Sequence, residues 1–245
     1  VSHVNPVDER TERLIDPAGL ARLREASVLV AGLGGVGGAC AESLARAGVG
    51  RLVLLDHDRF AASNLNRQLL STRDVIGRPK AEVAVERLRS IRDDIDAVAC
   101  PEFLEVSSVE AFLDHHRPAF VADCIDTIAV KARLLAVARQ QGRGSFTALG
   151  AGNRIDPRAM RVARLDEVQG CGLARVLRRR LRRAGASTDF PVVYSTEAPR
   201  KPAPHRPTAD GSQPRAVNGT ISYMPNLFGH VVAGEIIRRL LEGER

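Results

Sequence analysis

The chain has 245 residues, 44% of them hydrophobic and 27% charged, and a formal net charge of +7. That apolar content excludes a disordered chain, and no apolar run approaches a membrane span. The length fits one large α/β domain with additions, or two small ones, and the positive charge points toward an anionic partner such as RNA without proving one.

Residues 1–10 read as a loose arm without a signal-peptide core, so a cytoplasmic protein is expected. Arg13 to Arg24 forms one short helix or two, with Pro17 in a first turn. Val28 to Ala31, branched and stopped by glycine, reads as a buried strand. The turn that follows, Gly32-Leu33-Gly34-Gly35-Val36-Gly37-Gly38, is almost bare of side chains. Such a turn lets backbone N–H groups approach a phosphate at a helix start, where the dipole favours negative charge. Cys40, Leu44 and Ala47 support that helix at helical spacing, and Gly48 and Gly50 can stop it. A second strand, Leu52 to Leu55, ends on Asp56, 22 residues after Gly34, near the offset of a ribose-binding acid. These features predict a nucleotide site.

Gly32, Gly34 and Gly37 fit an NAD fingerprint equally well. The residues after Asp56 separate the two readings. Asn64, Asn66, Arg67 and Gln68 follow the strand end closely, and Lys80 comes shortly after. A triphosphate needs cations: arginine grips phosphate with two parallel donors, and lysine adds a mobile point charge. Taken singly, Arg67 and Lys80 read as solvated surface cations; the constellation favours the triphosphate.

Lys80 to Ile91 reads as a helix with Ala81, Val85, Leu88 and Ile91 on one face. Ala97 to Ala99 is a strand, and Ser107 or Ser108 can cap a helix through Leu113 and His116. Phe120 to Ile125 is a buried strand ending at Asp126. Asp56 and Asp126 thus both sit where ligands gather beyond the carboxyl ends of parallel strands. Asp126 can bind a metal, cap the helix Val130 to Gln141, or do both. Ser145 to Leu149 continues the sheet to a corner at Gly150-Ala151-Gly152, and Met160 to Leu165 is a further strand. This alternation predicts a doubly wound α/β fold with a mostly parallel sheet.

Leu173 to Arg183 reads as a basic helix, with Leu173, Val176, Leu177 and Leu181 on one side. Arg175, Arg178, Arg179 and Arg182 cluster opposite, as a solvated face or as an RNA contact. Residues 199–217 hold five prolines and few large apolar side chains, which reads as a loop, with His205 solvated. Ile221 to Met224 is expected as a strand broken by Pro225-Asn226, and Leu227 to Leu241 as a final helix. The cysteines at 40, 100, 124 and 171 include no CxxC pair, hence no zinc knuckle, and Cys40 and Cys124 read as small core residues.

GLGGVG, DHDRFAASNLNRQ, GRPKAE and CIDT at 124–127 together resemble the adenylate-forming E1-like enzymes. That superfamily includes ubiquitin-activating enzymes and the ThiF, MoeB and HesA activators of sulfur carriers. The resemblance covers about residues 10–165 and implies a Rossmann-like ATP-binding fold. It implies that Gly32, Gly34, Gly35 and Gly37 form the phosphate cradle and that Asp56 binds the ribose. Asp58, Asn64, Asn66, Arg67, Gln68, Lys80, Asp126 and Thr127 would complete the ATP site. Arg13, Arg67, Lys80 and Asp126 would be the catalytic groups, with Asp126 on Mg²⁺ and Arg13 often supplied by the other subunit of a homodimer.

The second half resembles one branch, the tRNA threonylcarbamoyladenosine dehydratases, through TALGAGNRIDPRAMRVARLDEV, the arginine helix, VVYSTEAP and NGTISYMPNLFG. Two departures stand out. Val192 and Val193 occupy a position where some members carry cysteine, and Cys171-Gly172-Leu173 replaces a common Asp-Pro-Leu. The resemblance implies adenylation of the threonyl carboxylate of N6-threonylcarbamoyladenosine in tRNA, then cyclisation with release of AMP. It also admits a sulfur-relay protein as a partner. Two alternatives remain: an activator of a ubiquitin-like sulfur carrier, with Cys171 as a thiol nucleophile, and a NAD-binding or scaffold protein. The chain would then divide into an arm and helix at 1–26, an E1-like ATP-binding domain at 27–165 and an extension at 166–245.

Overall fold

The computed structural model describes residues 5–201 and 218–243. Helix α1 (Glu9–Glu25) breaks at Asp16, whose φ of 61° precedes Pro17 and whose Oδ1 accepts from Gly19 N at 2.8 Å. It is therefore two helical segments joined end to end, and Pro17 opens the second, where its missing N–H costs nothing. The residues before it are not loose from residue 5 onward. Asp8 is fully buried, held by Arg24 at 2.7 Å and by Arg92, itself 2% exposed, at 3.1 Å.

Strands β1 (Ser27–Ala31) and β2 (Arg51–Leu55) flank α2 (Gly35–Ala47). They are followed by α3 (Lys80–Ile91), β3 (Asp96–Cys100), α4 (Val109–His116), β4 (Phe120–Asp123), α5 (Ile128–Gln140) and β5 (Gly144–Ala148). The chain ends with β6 (Met160–Arg164), α6 (Gly172–Arg183), β7 (Pro191–Ser195) and α7 (Tyr223–Glu242). One sheet runs in the order β3-β2-β1-β4-β5-β7-β6. All pairings are parallel except β6 with β7.

The sheet is covered on both faces, which is why its strands read as unbroken apolar runs. On one side Cys40, Leu44, Leu88, Phe228 and Val232 from α2, α3 and α7 pack on Val28, Val30, Leu52 and Leu54. On the other, Leu113, Leu134 and Val137 from α4 and α5 pack on Leu29, Val53 and Val121. Helix α6 extends that second layer against α5 through Ala174, Leu177 and Leu181.

Several expectations need correction. Strand β4 stops at Asp123, because the Asp123 carboxylate accepts from Ile125 N and turns the chain out of the sheet. The expected strand Ile221 to Met224 is instead the lead-in and first turn of α7, and Pro225 lies inside that turn. Proline breaks a helix only where it removes an internal hydrogen bond, so in the first turn it is no breaker. Strand β7 was not anticipated: PVVYS is short, and only a position between β5 and β6 makes it a strand. The anticipated boundary at residue 165 consequently falls within one continuous sheet. Most of the anticipated loop 199–217, including His205, lies outside the described residues.

Candidate active site

Strand order reverses between β1 and β4, and a cleft of about 340 Å³ opens at their carboxyl ends. This is the crevice where open α/β sheets bind ligands. Gly32 leaves β1 with φ +86°, and a Cβ there would stand 2.9 Å from the carbonyl oxygen of Cys124. Gly34 caps α2 and faces open space, the nearest group to a notional Cβ being Gln68 Nε2 at 3.7 Å. Gly32, Gly34 and Gly35 line the cleft. Gly37 does not, contrary to its expected ligand contact. Its notional Cβ would fall 1.6 Å from the Gly32 carbonyl oxygen, so glycine there lets α2 close on the end of β1.

Asp56 leaves β2 and braces the glycine turn: Oδ2 accepts from Leu33 N at 2.7 Å and Oδ1 from Asp58 N at 2.8 Å. Each oxygen keeps a lone pair for a ribose hydroxyl. Lys80, the first residue of α3, is 5% exposed. Its Nζ lies 2.8 Å from Asp58 Oδ2 and 3.9 Å from Asp56 Oδ2. Partial burial opposes the charge on Asp58, but the hydrogen bond and charge of Lys80, with His57 nearby, hold its carboxyl below the usual range. The lysine is thus poised at the cleft wall by two carboxylates.

The 61–68 turn supplies the facing wall. Asn64 Oδ1 accepts from Ala61 N at 2.9 Å, which shapes the turn and leaves its amide N–H groups available. Arg67 lines the cleft and uses only Nη1, toward Ser63 O and Asn66 Oδ1. Among the described residues its other donors are unpaired, and no carboxylate bridges to it. Gln68 is 6% exposed, and its Oε1 has no partner among the described residues. Asn66, expected at the nucleotide, is instead exposed and donates to Thr220 O at 3.1 Å, tying this turn to the lead-in of α7.

Asp126 lies three residues beyond β4, exposed and lining the cleft beside Thr127. Thr127, not Asp126, occupies the N-cap position of α5, and no side chain caps that helix. The capping alternative therefore falls away. Asp126 meets only the Thr127 hydroxyl, at 3.4 Å, and no cation among the described residues. Arg13 is not in its own chain's cleft; it is exposed on α1 and pairs with Glu9 at 2.7 Å.

Sequence reasoning missed the side wall. Phe103 is 54% exposed and meets the His57 ring edge-to-face at 5.0 Å. With Leu104, Ile125 and Val130 it gives the cleft an apolar side able to take a flat ring. The available signal was an aromatic just past the end of β3. Pro225, read only as a breaker, also lines the cleft, pressed on Gly35. Cys124 lies beyond β4, half-buried, packed against the core as expected but also lining the cleft, whereas Cys171 is buried under α6. All four cysteines are free.

On α6, Arg175, Arg179 and Arg182 are exposed, but Arg178 turns inward and donates from Nη1 to Leu165 O at 2.8 Å and Val168 O at 2.7 Å. Arg178 is therefore a brace for the 165–168 turn, not a free cation. Val176, expected on the packed side, is only half-buried, and Ala174 takes that place.

The profile of the ThiF family matches residues 9–245. The chain is 30% identical over 239 residues to a tRNA threonylcarbamoyladenosine dehydratase of Bacillus subtilis, covering 95% of this chain and 94% of that one. It superposes on the Escherichia coli tRNA N6-threonylcarbamoyladenosine dehydratase in complex with ATP with a TM-score of 0.84 at 30% identity, over 96% of this chain and 93% of that one. Its similarity to the E. coli molybdopterin-synthase adenylyltransferase, 39% over 122 residues, spans 50% of this chain and 48% of that protein.

Proposed function

The chain belongs to the ThiF family, and from that premise we propose that it is an ATP-dependent tRNA threonylcarbamoyladenosine dehydratase. The observation that carries the proposal is the convergence of Arg67, Lys80 and Asp126 on one cleft beside the glycine turn. The ATP complex of the E. coli relative supports ATP as the nucleotide. Likeness to dehydratases runs the length of the chain, whereas likeness to a sulfur-carrier type of adenylyltransferase stops at about half. That difference favours a modified tRNA as the substrate over a carrier protein.

In this reading the turn at Gly34 and Gly35 receives phosphate oxygens on backbone N–H groups, and Asp56 accepts from the ribose. The wall of Phe103 and Leu104 takes the adenine. Arg67 and Lys80 hold the triphosphate so that a substrate carboxylate oxygen meets the α-phosphorus in line, with pyrophosphate leaving. The carbamoyl group of the same nucleoside then attacks the activated carbonyl, loses its proton and expels AMP. One nucleoside loses one water for each ATP split to AMP and pyrophosphate. Ring closure within the substrate needs no enzyme thiol, in keeping with a buried Cys171.

Asp126 fits a Mg²⁺ site: it is an exposed carboxylate in the cleft, uncommitted to any cation among the described residues, and hard oxygen donors suit that ion. Bound there, Mg²⁺ would offset the charge of the polyphosphate. We further propose that the protein works as a homodimer in which Arg13 reaches the partner's cleft. Support comes from its exposed side chain and from Leu14 beside it, a large apolar residue left 85% exposed.

The test is incubation of the purified protein with ATP, Mg²⁺ and tRNA carrying threonylcarbamoyladenosine. Loss of one water from the nucleoside, matched mole for mole by AMP, is expected. An unchanged nucleoside together with pyrophosphate exchange on a ubiquitin-like protein would overturn the reading.

A further inference from the structure

Helix α6 carries more positive charge than its fold can use. Its buried face is Ala174, Leu177 and Leu181. At 100° per residue the opposite face belongs to Arg175, Arg179, Arg182 and Arg183, all exposed. None of these four pairs with an acid or donates a hydrogen bond among the described residues. Arg158 is matched by Asp156, Arg164 by Asp166 and Asp189, and Arg238 by Glu235 and Glu242. Arg10, Arg22 and Arg73 also stand exposed without an acid among the described residues, but singly, and Arg180 adds one more such cation to α6 itself; what sets α6 apart is four of them along one face.

Helix stability does not account for the stripe. The macrodipole favours cations in the last turn, which covers Arg182 and Arg183. It disfavours Arg175 near the amino end, where no acid offsets it. Like charges three and four residues apart also repel. The stripe therefore persists at a cost unless a polyanion lies on it.

Its position says which polyanion. Leu173, at the start of α6, comes within 4.0 Å of the Cβ position of Gly150, at the carboxyl end of β5. The stripe thus begins on the edge of the sheet that holds the cleft and runs from there about 12 Å along the helix. No large apolar side chain of α6 is exposed. A protein partner wants apolar or aromatic anchors at the centre of its contact, whereas a nucleic-acid backbone wants guanidinium groups alone.

We propose that Arg175, Arg179, Arg182 and Arg183 form a docking stripe for the phosphate backbone of the substrate tRNA, leading its modified nucleoside to the cleft. This inference rests on the dehydratase reading. Because Arg178 is spent on Leu165 and Val168, it takes no part.

The test measures tRNA affinity between about 50 and 200 mM salt, where each lost phosphate contact lowers the slope of log K against log salt by about 0.7–0.9. The variant R175Q/R179Q/R182Q is expected to flatten that slope by about two to three and to weaken binding at low salt at least tenfold. AMP binding should be unchanged, which confirms that the variant is folded. R178Q should keep the wild-type slope and lose thermal stability. If wild-type protein dehydrates the modified tRNA while the triple variant keeps the full slope, the stripe is a solvated face and the proposal fails alone. If the triple variant instead loses only its hold on an acidic ubiquitin-like protein, the stripe serves a protein and the proposal fails. If wild-type protein neither binds nor modifies tRNA, the dehydratase reading falls and takes the stripe with it.

Discussion

Lys131 and Asp123 form an ion pair that no solvent reaches: Nζ stands 2.8 Å from Oδ2, and both side chains are 0% exposed. The lysine also donates to Ala148 O at 3.1 Å, and Thr147 Oγ1 donates to the same carboxylate at 3.0 Å. Burial pushes the Asp123 carboxyl above its usual range against the pull of Lys131 and Thr147. The group clamps the ends of β4 and β5 beneath the turn that carries Asp126. Removing one partner strands the other in a dry interior. Lys131→Met is therefore expected to cost about 3–5 kcal/mol of unfolding free energy. The double variant with Asp123→Asn should recover part of that loss, so that the two effects measured by urea unfolding are not additive.

Two glycines of the same turn should separate folding from binding. Gly37→Ala forces a methyl to 1.6 Å from the Gly32 carbonyl, and a loss of about 3 kcal/mol or more is expected. Gly34→Ala has space, its nearest neighbour being 3.7 Å away on a flexible amide. It should melt near the wild-type temperature and bind ATP weakly, by calorimetry, because the methyl enters the phosphate cradle.

Arg67 and Cys171 distinguish the chemistry. Arg67→Ala removes a cleft donor whose protein contacts are two surface acceptors. Turnover of modified tRNA should fall about a hundred- to a thousandfold with little change in thermal midpoint. Cys171→Ala, in the core under α6, should keep turnover. Loss of turnover with an intact fold would mean that a thiol takes part, against ring closure without one.

Acid stability should depend on Glu42, which joins α2 to α3. Its oxygens accept from Arg46 at 2.7 Å and from Arg87 at 3.0 Å. Burial works against the charge, yet the two guanidinium groups hold the carboxyl below its ordinary 4.5. A depressed carboxyl stabilises the fold above its unfolded value and loses that contribution as pH falls through the folded one. The gap in melting temperature between wild type and Glu42→Gln should be full above the ordinary carboxylate range and should close as pH falls below it.

Much of the site is legible in the sequence because it is local. The glycine turn, Asp56, Arg67 and Lys80 lie within about fifty residues, and strand-turn-helix chemistry sets where each points. What is illegible depends on distant partners. Asn66 reads as a phosphate ligand until Thr220 is seen to take its amide. Gly37 reads as a binding glycine until its neighbour proves to be the Gly32 carbonyl. Arg178 shares the helical spacing of its neighbours, and only the loop at 165–168 distinguishes it. Strand β7 and the helical start of α7 were missed for the same reason, since a short apolar run and a proline take their meaning from where the chain has already gone.

The contact of Pro225 with Gly35 gives the chain a timetable. The glycine turn leaves the ribosome well before the wall opposite it, which belongs to α7; Gly229, one turn along that helix, would put a Cβ 2.1 Å from Val36 O. A nascent chain that stops before Tyr223 would display every residue of the nucleotide fingerprint and still have one side of its cleft open to water. Competence to hold ATP should therefore wait until α7 has been made.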